Sequence, residues 1–435
     1  MKFVKELEKY SIDYLNEVFS NDELAIRKLL DKKIIKINDK GEFSFDYVGV
    51  IIINDKAYFS FPKYVTRGRE RKCIPSILKM FTQYTQREKL DKDDLETFGD
   101  LDSESNYNAL STMIFILNDF VENGIYTNEK HTHEINGEGD INWSKTIEDF
   151  IPLISKGNVL YLEYFTDARM VDDENYFMQL HKYIITECVK RLVNYGLLNF
   201  LGFDAYDFGV EKETLGDTEN IIIRLNNELS QQFVSKKQIL LKAMISYIKN
   251  EVSTTDDNSV SFYGTRNFNI VWEKVCGYIL DNEYNNYKNY IEKPLWRIKN
   301  VGEYESDRMK PDIICTTNDT LAIFDAKYYK LGYGEKTIKD NPGVQDIAKQ
   351  YLYHIALKKI IEKKKINFVK NIFLFPIDDE KITYIGTVSI SFLENITSEN
   401  IQLFGVPTEQ VFQLYSKGNK IDVESFLNCE IQLIN

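Results

Sequence analysis

The sequence predicts an α+β multidomain chain that ends in a mixed sheet flanked by helices. Three observations carry that expectation. Short apolar runs bounded by turn residues occur near the N-terminus and again after residue 310. Between them, from about 106 to 249, apolar residues recur at helical spacing. After residue 262 the order becomes helix, strands, helix, strands. A mixed sheet covered by helices is the layer arrangement that satisfies such an order. At 435 residues the chain has room for several cores. The boundaries are expected at 1–100 for a mixed α/β domain with a hairpin, 101–255 for a mainly helical middle domain, and 256–435 for the mixed-sheet domain.

Each element has a local reason. Residues 43–53 read as a strand, Asn54-Asp55-Lys56 as a turn and 57–61 as the return strand, stopped by Pro62. The polar run from Asp91 to Ser105 reads as a linker. Leu110, Met113, Ile114, Leu117 and Val121 lie on one helical face, with Gly124 as the stop. Phe177, Leu180, Ile184, Cys188 and Leu192 repeat the form ahead of Gly196, and one long helix is expected over 225–249. These stripes are core. His131, His133 and Glu134 could ligate a transition metal, but the Gly-rich surroundings favour an exposed loop, and no third ligand stands at fixed spacing. The polar stretch from Glu251 to Ser259 marks the second boundary. Beyond it follow a helix over 268–280, strands around 312 and 325, a helix over 344–363, and strands over 371–376 and 382–388. The lysines between Lys358 and Lys365 suit a solvated helix C-terminus.

Composition narrows the function. Hydrophobic residues make up 43% and charged residues 28%, the balance of a globular chain. No apolar run reaches membrane-spanning length. Acids at Glu6 and Glu8 interrupt any signal-peptide core, so a cytoplasmic protein is expected. The five cysteines (Cys73, Cys188, Cys276, Cys315 and Cys429) form no CxxC pair and read as reduced core residues. The net charge of −13 is awkward for a nucleic-acid enzyme, since lysine and arginine contacts to phosphate supply most non-specific affinity. From 291 to 340, however, nine basic and nine acidic side chains balance.

That stretch holds the chemistry. Pro311-Asp312 opens one apolar run, and Asp325-Ala326-Lys327 closes another, Leu321-Ala322-Ile323-Phe324. Thr316-Thr317-Asn318-Asp319 between them suits a hairpin loop. Residues i and i+2 of a strand share a face, so Asp325 and Lys327 project together. If the two runs pair, Asp312 and Asp325 can hold one hard cation, Mg²⁺ or Mn²⁺ in its place. The lysine could orient or deprotonate water, or stabilise charge on phosphorus. An Asp-x-Lys pair alone usually marks a salt-bridged strand end. Here an ionised aspartate closing an apolar run needs a partner or a metal. Glu273, inside the 268–280 helix, is a third acid whose ordinary reading is a surface pair with Lys274. Gln350, beside Lys349, would by itself be ordinary helix surface.

The spacing resembles that of the PD-(D/E)xK nucleases. The wider combination of Tyr263-Gly-Thr-Arg-Asn-Phe-Asn-Ile-Val-Trp-Glu273, Pro311-Asp312, Asp325-Ala-Lys327-Tyr-Tyr and Lys349-Gln350-Tyr351 resembles the LlaJI-type restriction endonucleases, relatives of the McrC nuclease subunit. Ser60-Phe-Pro62-Lys63-Tyr64 and the segment from Gly139 to Ile147 extend the likeness into the first two segments. The resemblance implies a C-terminal PD-(D/E)xK fold and an Mg²⁺-dependent endonuclease acting on double-stranded DNA in anti-phage restriction. It also implies Asp312, Asp325, Glu273 and the Ala326 carbonyl at the metal, with Lys327 and Gln350 completing the site. A McrB-like AAA+ GTPase would be the partner, in keeping with the absence of a GxxxxGK[ST] loop here. Two other readings compete: a non-catalytic adaptor of the motor, and a stand-alone PD-(D/E)xK repair nuclease. On the motor-partnered reading, deleting residues 1–250 is expected to abolish motor binding and to leave a folded nuclease core with weak metal-dependent nicking.

Overall fold

The computed structural model describes residues 1–90, 97–98, 108–127, 129–137, 140–155, 158–171, 176–251, 260–332, 337–393 and 400–427, without the side chains of 129–133, 155, 168–171 and 251. Apart from Thr97 and Phe98, which are buried, and Glu251, which ends a helix, the expected linker between Asp91 and Ser105 and the boundary from Glu251 to Ser259 lie outside these residues. Two compact units divide the chain. One comprises 1–99, 195–202 and 258–435, and the other 100–194 and 203–257.

The first unit begins with the expected hairpin. Val48–Ile53 pairs antiparallel with Lys56–Phe61, and Asn54 and Asp55 both take positive φ, as a two-residue primed turn requires. The predicted strand is shorter than 43–53. Phe43–Phe45 belongs to a separate three-stranded sheet with Lys9–Tyr10 and Ile35–Ile37. Tyr47, fully buried between the two strands, donates its hydroxyl to the Val50 carbonyl at 3.2 Å. The sheet containing the hairpin has the order Lys2–Lys5, Lys56–Phe61, Val48–Ile53, Val260–Thr265. Its fourth strand comes from the start of the third predicted segment. Gly264 faces Gly49 across that junction, and a Cβ on Gly264 would stand 2.1 Å from the Val48 carbonyl oxygen. Only glycine permits this approach.

The second sheet of this unit has five strands in the order Ile313–Thr316, Thr320–Ala326, Phe368–Ile377, Ile401–Pro407, Thr383–Val388. The outer pairs are antiparallel and the two inner pairings parallel. The helices Phe268–Ile279 and Val344–Ala356 each pack on the Thr320–Ala326 strand, and Thr408–Lys417 packs against the first of them. Two features went unforeseen: the Ile401–Pro407 strand with its following helix, and an exposed hairpin of Leu295–Ile298 and Gly302–Glu305. The single helix expected over 344–363 is broken. Leu357, at φ −92° and ψ 2°, separates Val344–Ala356 from Lys358–Lys364.

The N-terminal segment and the five-stranded sheet share this unit through side chains as well. Phe81 meets Phe268 edge-on at 6.0 Å, and the Tyr328 hydroxyl donates to the buried Glu6 carboxylate. The expectation that the third segment folds without residues 1–250 is therefore corrected. Removing them strips three of four strands from the sheet that holds Val260–Thr265 and uncovers Phe268 and Tyr328. We expect the 251–435 fragment to lack a cooperative thermal transition in circular dichroism, while the full chain shows one.

In the second unit, Ala109–Asn123, Tyr176–Asn194, Thr218–Gln231 and Ser235–Glu251 pack on one another. The helix expected over 225–249 is two helices. The Gln232 side-chain carbonyl accepts from the backbone N–H of Phe233 and Val234, satisfying donors at the break. The unit also contains strands. Glu129–Ile135, expected as an exposed loop, pairs antiparallel along its whole length with Phe165–Val171. The side chains of His131 and His133 lie outside the described residues. Cys73, Cys188, Cys276 and Cys315 are buried. No helix among the described residues is long and apolar enough to cross a membrane.

Candidate active site

The strand Thr320–Ala326 delivers the central residues because all seven of its positions are buried, and Lys327, just past its end, is the first residue to reach solvent. It pairs with Ile313–Thr316 in the register Ile313–Phe324, which brings Asp312, just ahead of the short strand, beside Asp325. The Asp312 carboxylate accepts from the Ala326 backbone N–H at 3.2 Å and lies within hydrogen-bonding reach of Asp325. Lys327 follows on the same face. Its ammonium stands 3.0 Å from Asp325 Oδ2 and 2.8 Å from Asp346 Oδ1.

The electrostatics of this cluster are strong because little of it meets water. Asp325 is 3% exposed. Burial, and then the neighbouring Asp325 and Glu273, hold the Asp312 carboxyl well above the usual carboxylate range. Two carboxylates crowded together with one driven to keep a proton are a donor set that a divalent cation suits, since the cation replaces the proton. For Lys327, burial pulls the pKa down, but the charges of Asp325 and Asp346 outweigh it and hold the ammonium protonated above its ordinary range. Of the roles open to this lysine from the sequence, proton abstraction is the one this environment opposes; a fixed positive charge is the one it favours.

Neighbouring residues fix the frame. Asn282 donates to the Asp312 carbonyl at 2.6 Å and accepts from the Ile314 N–H at 3.1 Å, clamping the backbone on both sides of Ile313. Tyr353 donates to the Lys310 carbonyl at 2.8 Å, and its hydroxyl, buried and close to Asp312 and Asp325, is held above its normal pKa. Glu273 is half-buried on the Phe268–Ile279 helix, and its charge is felt at Asp312 and Cys276. Its expected surface partner, Lys274, pairs instead with Glu88 at 3.4 Å. Gln350 is fully buried and donates to the Ile323 carbonyl at 2.8 Å, so its amide braces the Asp325 strand from below. Among the described residues no three His, Cys, Asp or Glu side chains form a ready metal cluster. Asp312 and Asp325 are the close pair, with Glu273 farther out.

Asp346, Asn282 and Tyr353 escaped the sequence reading. Asp346 lies in the first turn of Val344–Ala356, where its carboxylate also accepts from the Gly343 N–H at 3.2 Å. Nothing in the sequence singles it out, and only the fold reveals its bond to Lys327. Replacing Asp346 by Asn removes one charged partner of Lys327. A charge-assisted hydrogen bond contributes about 1.5–3 kcal/mol, so we expect a loss of roughly ten- to a hundredfold in kcat with little change in KM, read from DNA-cleavage time courses.

A model of the LlaJI restriction endonuclease family matches residues 47–409. The chain belongs to that family. A relative from Bacillus subtilis (strain 168), the Type II restriction enzyme BsuMI component YdjA, is 31% identical over 434 residues, covering 95% of this chain and 89% of the relative. The site lies inside the LlaJI match, and so do the N-terminal hairpin and the entire second unit. Among solved structures, the chain is similar to one in the half-complex of Thermococcus gammatolerans McrB AAA+ hexamers with bound McrC, with a TM-score of 0.40 at 11% identity over 99% of each chain. It is also similar to one in the Thermococcus gammatolerans McrBC complex, with a TM-score of 0.22 at 13% identity over 58% of this chain and 87% of that one.

Proposed function

We propose that this LlaJI-family chain is the DNA-cleaving subunit of an anti-phage restriction system, and that it hydrolyses phosphodiester bonds at the Asp312–Asp325–Lys327 cluster of a PD-(D/E)xK fold. The observation that carries the reading is the pair of carboxylates at one strand end with a doubly ion-paired lysine beside them. Asp312 and Asp325 would hold Mg²⁺ or Mn²⁺, with the Ala326 carbonyl and Glu273 as further oxygen donors. When bound, such a cation stabilises charge developing on the phosphate and lowers the pKa of water.

The chain's own residues supply the remainder. Lys327 keeps its proton and presents a fixed positive charge to a phosphate oxygen. Asp325 and Asp346 anchor that ammonium from two sides, so it needs no reorganisation as charge develops. Asn282 and Tyr353 hold the backbone that carries Asp312. Gln350 braces the Asp325 strand. Water adds to phosphorus, the bond to the 3′ oxygen breaks, and the products are a 5′-phosphate and a 3′-hydroxyl.

The partner is a McrB-like AAA+ GTPase. Two features support it. The sequence has no phosphate loop of its own. The second unit bears exposed apolar side chains around the hairpin of Leu153–Ser155 and Asn158–Leu160, with Ile151 at 94% and Ile154 at 75% exposure. Such a patch marks an interaction surface. The direct test is cleavage of double-stranded DNA by the chain with its partner and GTP, in Mg²⁺ and in excess chelator. Cleavage in Mg²⁺ that stops on chelation is expected. Equal cleavage in chelator would refute the metal-dependent reading.

A further inference from the structure

A chain with net charge −13 must find its grip on DNA locally. Between the N-terminal segment and the residues that follow Lys327 lies a cavity of about 460 Å³ whose walls include Lys5, Lys63, Arg67 and Lys330. Three of these cations come from the N-terminal segment. Lys330 and its neighbour Tyr329 continue directly from Lys327, so the cavity opens within three residues of the Asp-x-Lys motif.

We infer that this cavity is a phosphate subsite that holds the DNA backbone next to the bond being cut. The inference rests on the nuclease reading above and adds a binding role for the N-terminal segment.

Of the three acids in the cavity wall, two are already engaged, and one of these neutralises a wall cation. Glu6 is buried and accepts from the Tyr328 hydroxyl and, at 3.0 Å, from the Lys63 backbone N–H. Glu8 pairs with Arg67 at 2.9 Å. Asp340 stands on the rim. The cations, by contrast, are crowded. The Lys5 ammonium donates to the Val65 carbonyl at 3.0 Å and shares the cavity wall with Lys330. Burial, then Lys330 and Arg67, pull its pKa below the usual lysine range. Like charges pressed together are destabilising unless an anion joins them. A phosphate oxygen is a hard acceptor of the size to bridge two ammonium groups. Lys63 waits at the same mouth, its ammonium 4.4 Å from the Tyr328 ring centroid and 5.7 Å from that of Tyr329. Cation–π contacts hold it in place without neutralising it. Tyr328 thereby ties the subsite to the catalytic strand, since its hydroxyl is fastened to Glu6 while its ring carries Lys63.

The test is a Lys5→Gln/Lys330→Gln double variant of the full chain. Binding to a short DNA duplex is measured by fluorescence anisotropy over a salt series that starts at low ionic strength, without divalent cation. The slope of log affinity against log salt falls by about 0.9 for each phosphate that the protein no longer neutralises. We expect it to fall by about 2, with at least a roughly tenfold weaker affinity at low salt. Mn²⁺ binding at the Asp312–Asp325 pair and the melting temperature should stay at parental values. A second variant, Lys63→Gln, should lower the slope by about 1. An unchanged slope and affinity in both variants would overturn the subsite, as would a parent chain that fails to bind duplex at low ionic strength. Inorganic phosphate competing as well as duplex would also overturn it, because the cavity would then serve a free anion. If the parent binds with the expected slopes yet never cuts DNA in Mg²⁺ with its partner, the nuclease reading fails while the subsite stands.

Discussion

Replacing Lys327 by Ala is expected to lower DNA cleavage by at least about a thousandfold and also to destabilise the fold. The first effect follows from losing a pre-positioned positive charge where the transition state accumulates negative charge. One such donor contributes roughly 10²–10³ in rate, and the Asp325–Asp346 anchorage makes this one more rigid than most. The second effect follows from burial. The Lys327 side chain is 12% exposed and that of Asp325 4%, so the variant strands a carboxylate in a dry site. Breaking a buried pair from one side costs about 3–5 kcal/mol; we expect the lower end, since the neighbouring Asp312, driven to keep a proton, can donate to the Asp325 carboxylate. Adding divalent cation should restore much of that stability but little of the activity. Asp325→Asn separates the two effects. It keeps the shape and removes the charge, so cleavage is lost while the melting temperature, relieved of carboxylate crowding, holds or rises. Parental cleavage by either variant in Mg²⁺ would sink the assignment.

The second large effect concerns the partner. The chain alone should cut DNA weakly, and adding its AAA+ partner with GTP should raise cleavage by orders of magnitude. At physiological salt a protein of net charge −13 gains little from counterion release beyond its local cations. Sustained engagement then depends on a motor that holds the complex on DNA. Charged replacements in the exposed apolar patch, Ile151→Asp with Ile154→Asp, should abolish the stimulation and leave the weak basal cleavage untouched. Strong, GTP-independent cleavage by the chain alone would favour the stand-alone enzyme.

Much of the site was legible in sequence for physical reasons. The hairpin of Ile313–Thr316 and Thr320–Ala326 announces itself by two apolar runs around polar turn residues, and the two-residue period fixes Asp325 and Lys327 on one face. What was hidden is what depends on distant pairing. Val260–Thr265 joins the N-terminal hairpin across some 200 positions of sequence, and no local pattern reports that. Asp346 is not singled out by the sequence because its bond to Lys327 spans 19 positions. Helical periodicity runs unbroken through Gln232 and Leu357, so breaks set by side-chain capping and local dihedrals left no mark. The Glu129–Ile135 strand is polar up to its final Ile135, and its mix of charge and histidine resembles a solvated loop.

The central claim is that Asp312 and Asp325 form one divalent-cation site with Lys327 beside it. Calorimetric titration of Mn²⁺ into the full chain, set against Asp312→Asn and Asp325→Asn, tests it most directly. One ion bound per parental chain, with binding lost in each variant and retained in Lys327→Ala, is the expected result. Stoichiometric binding that persists unchanged in both aspartate variants would contradict it.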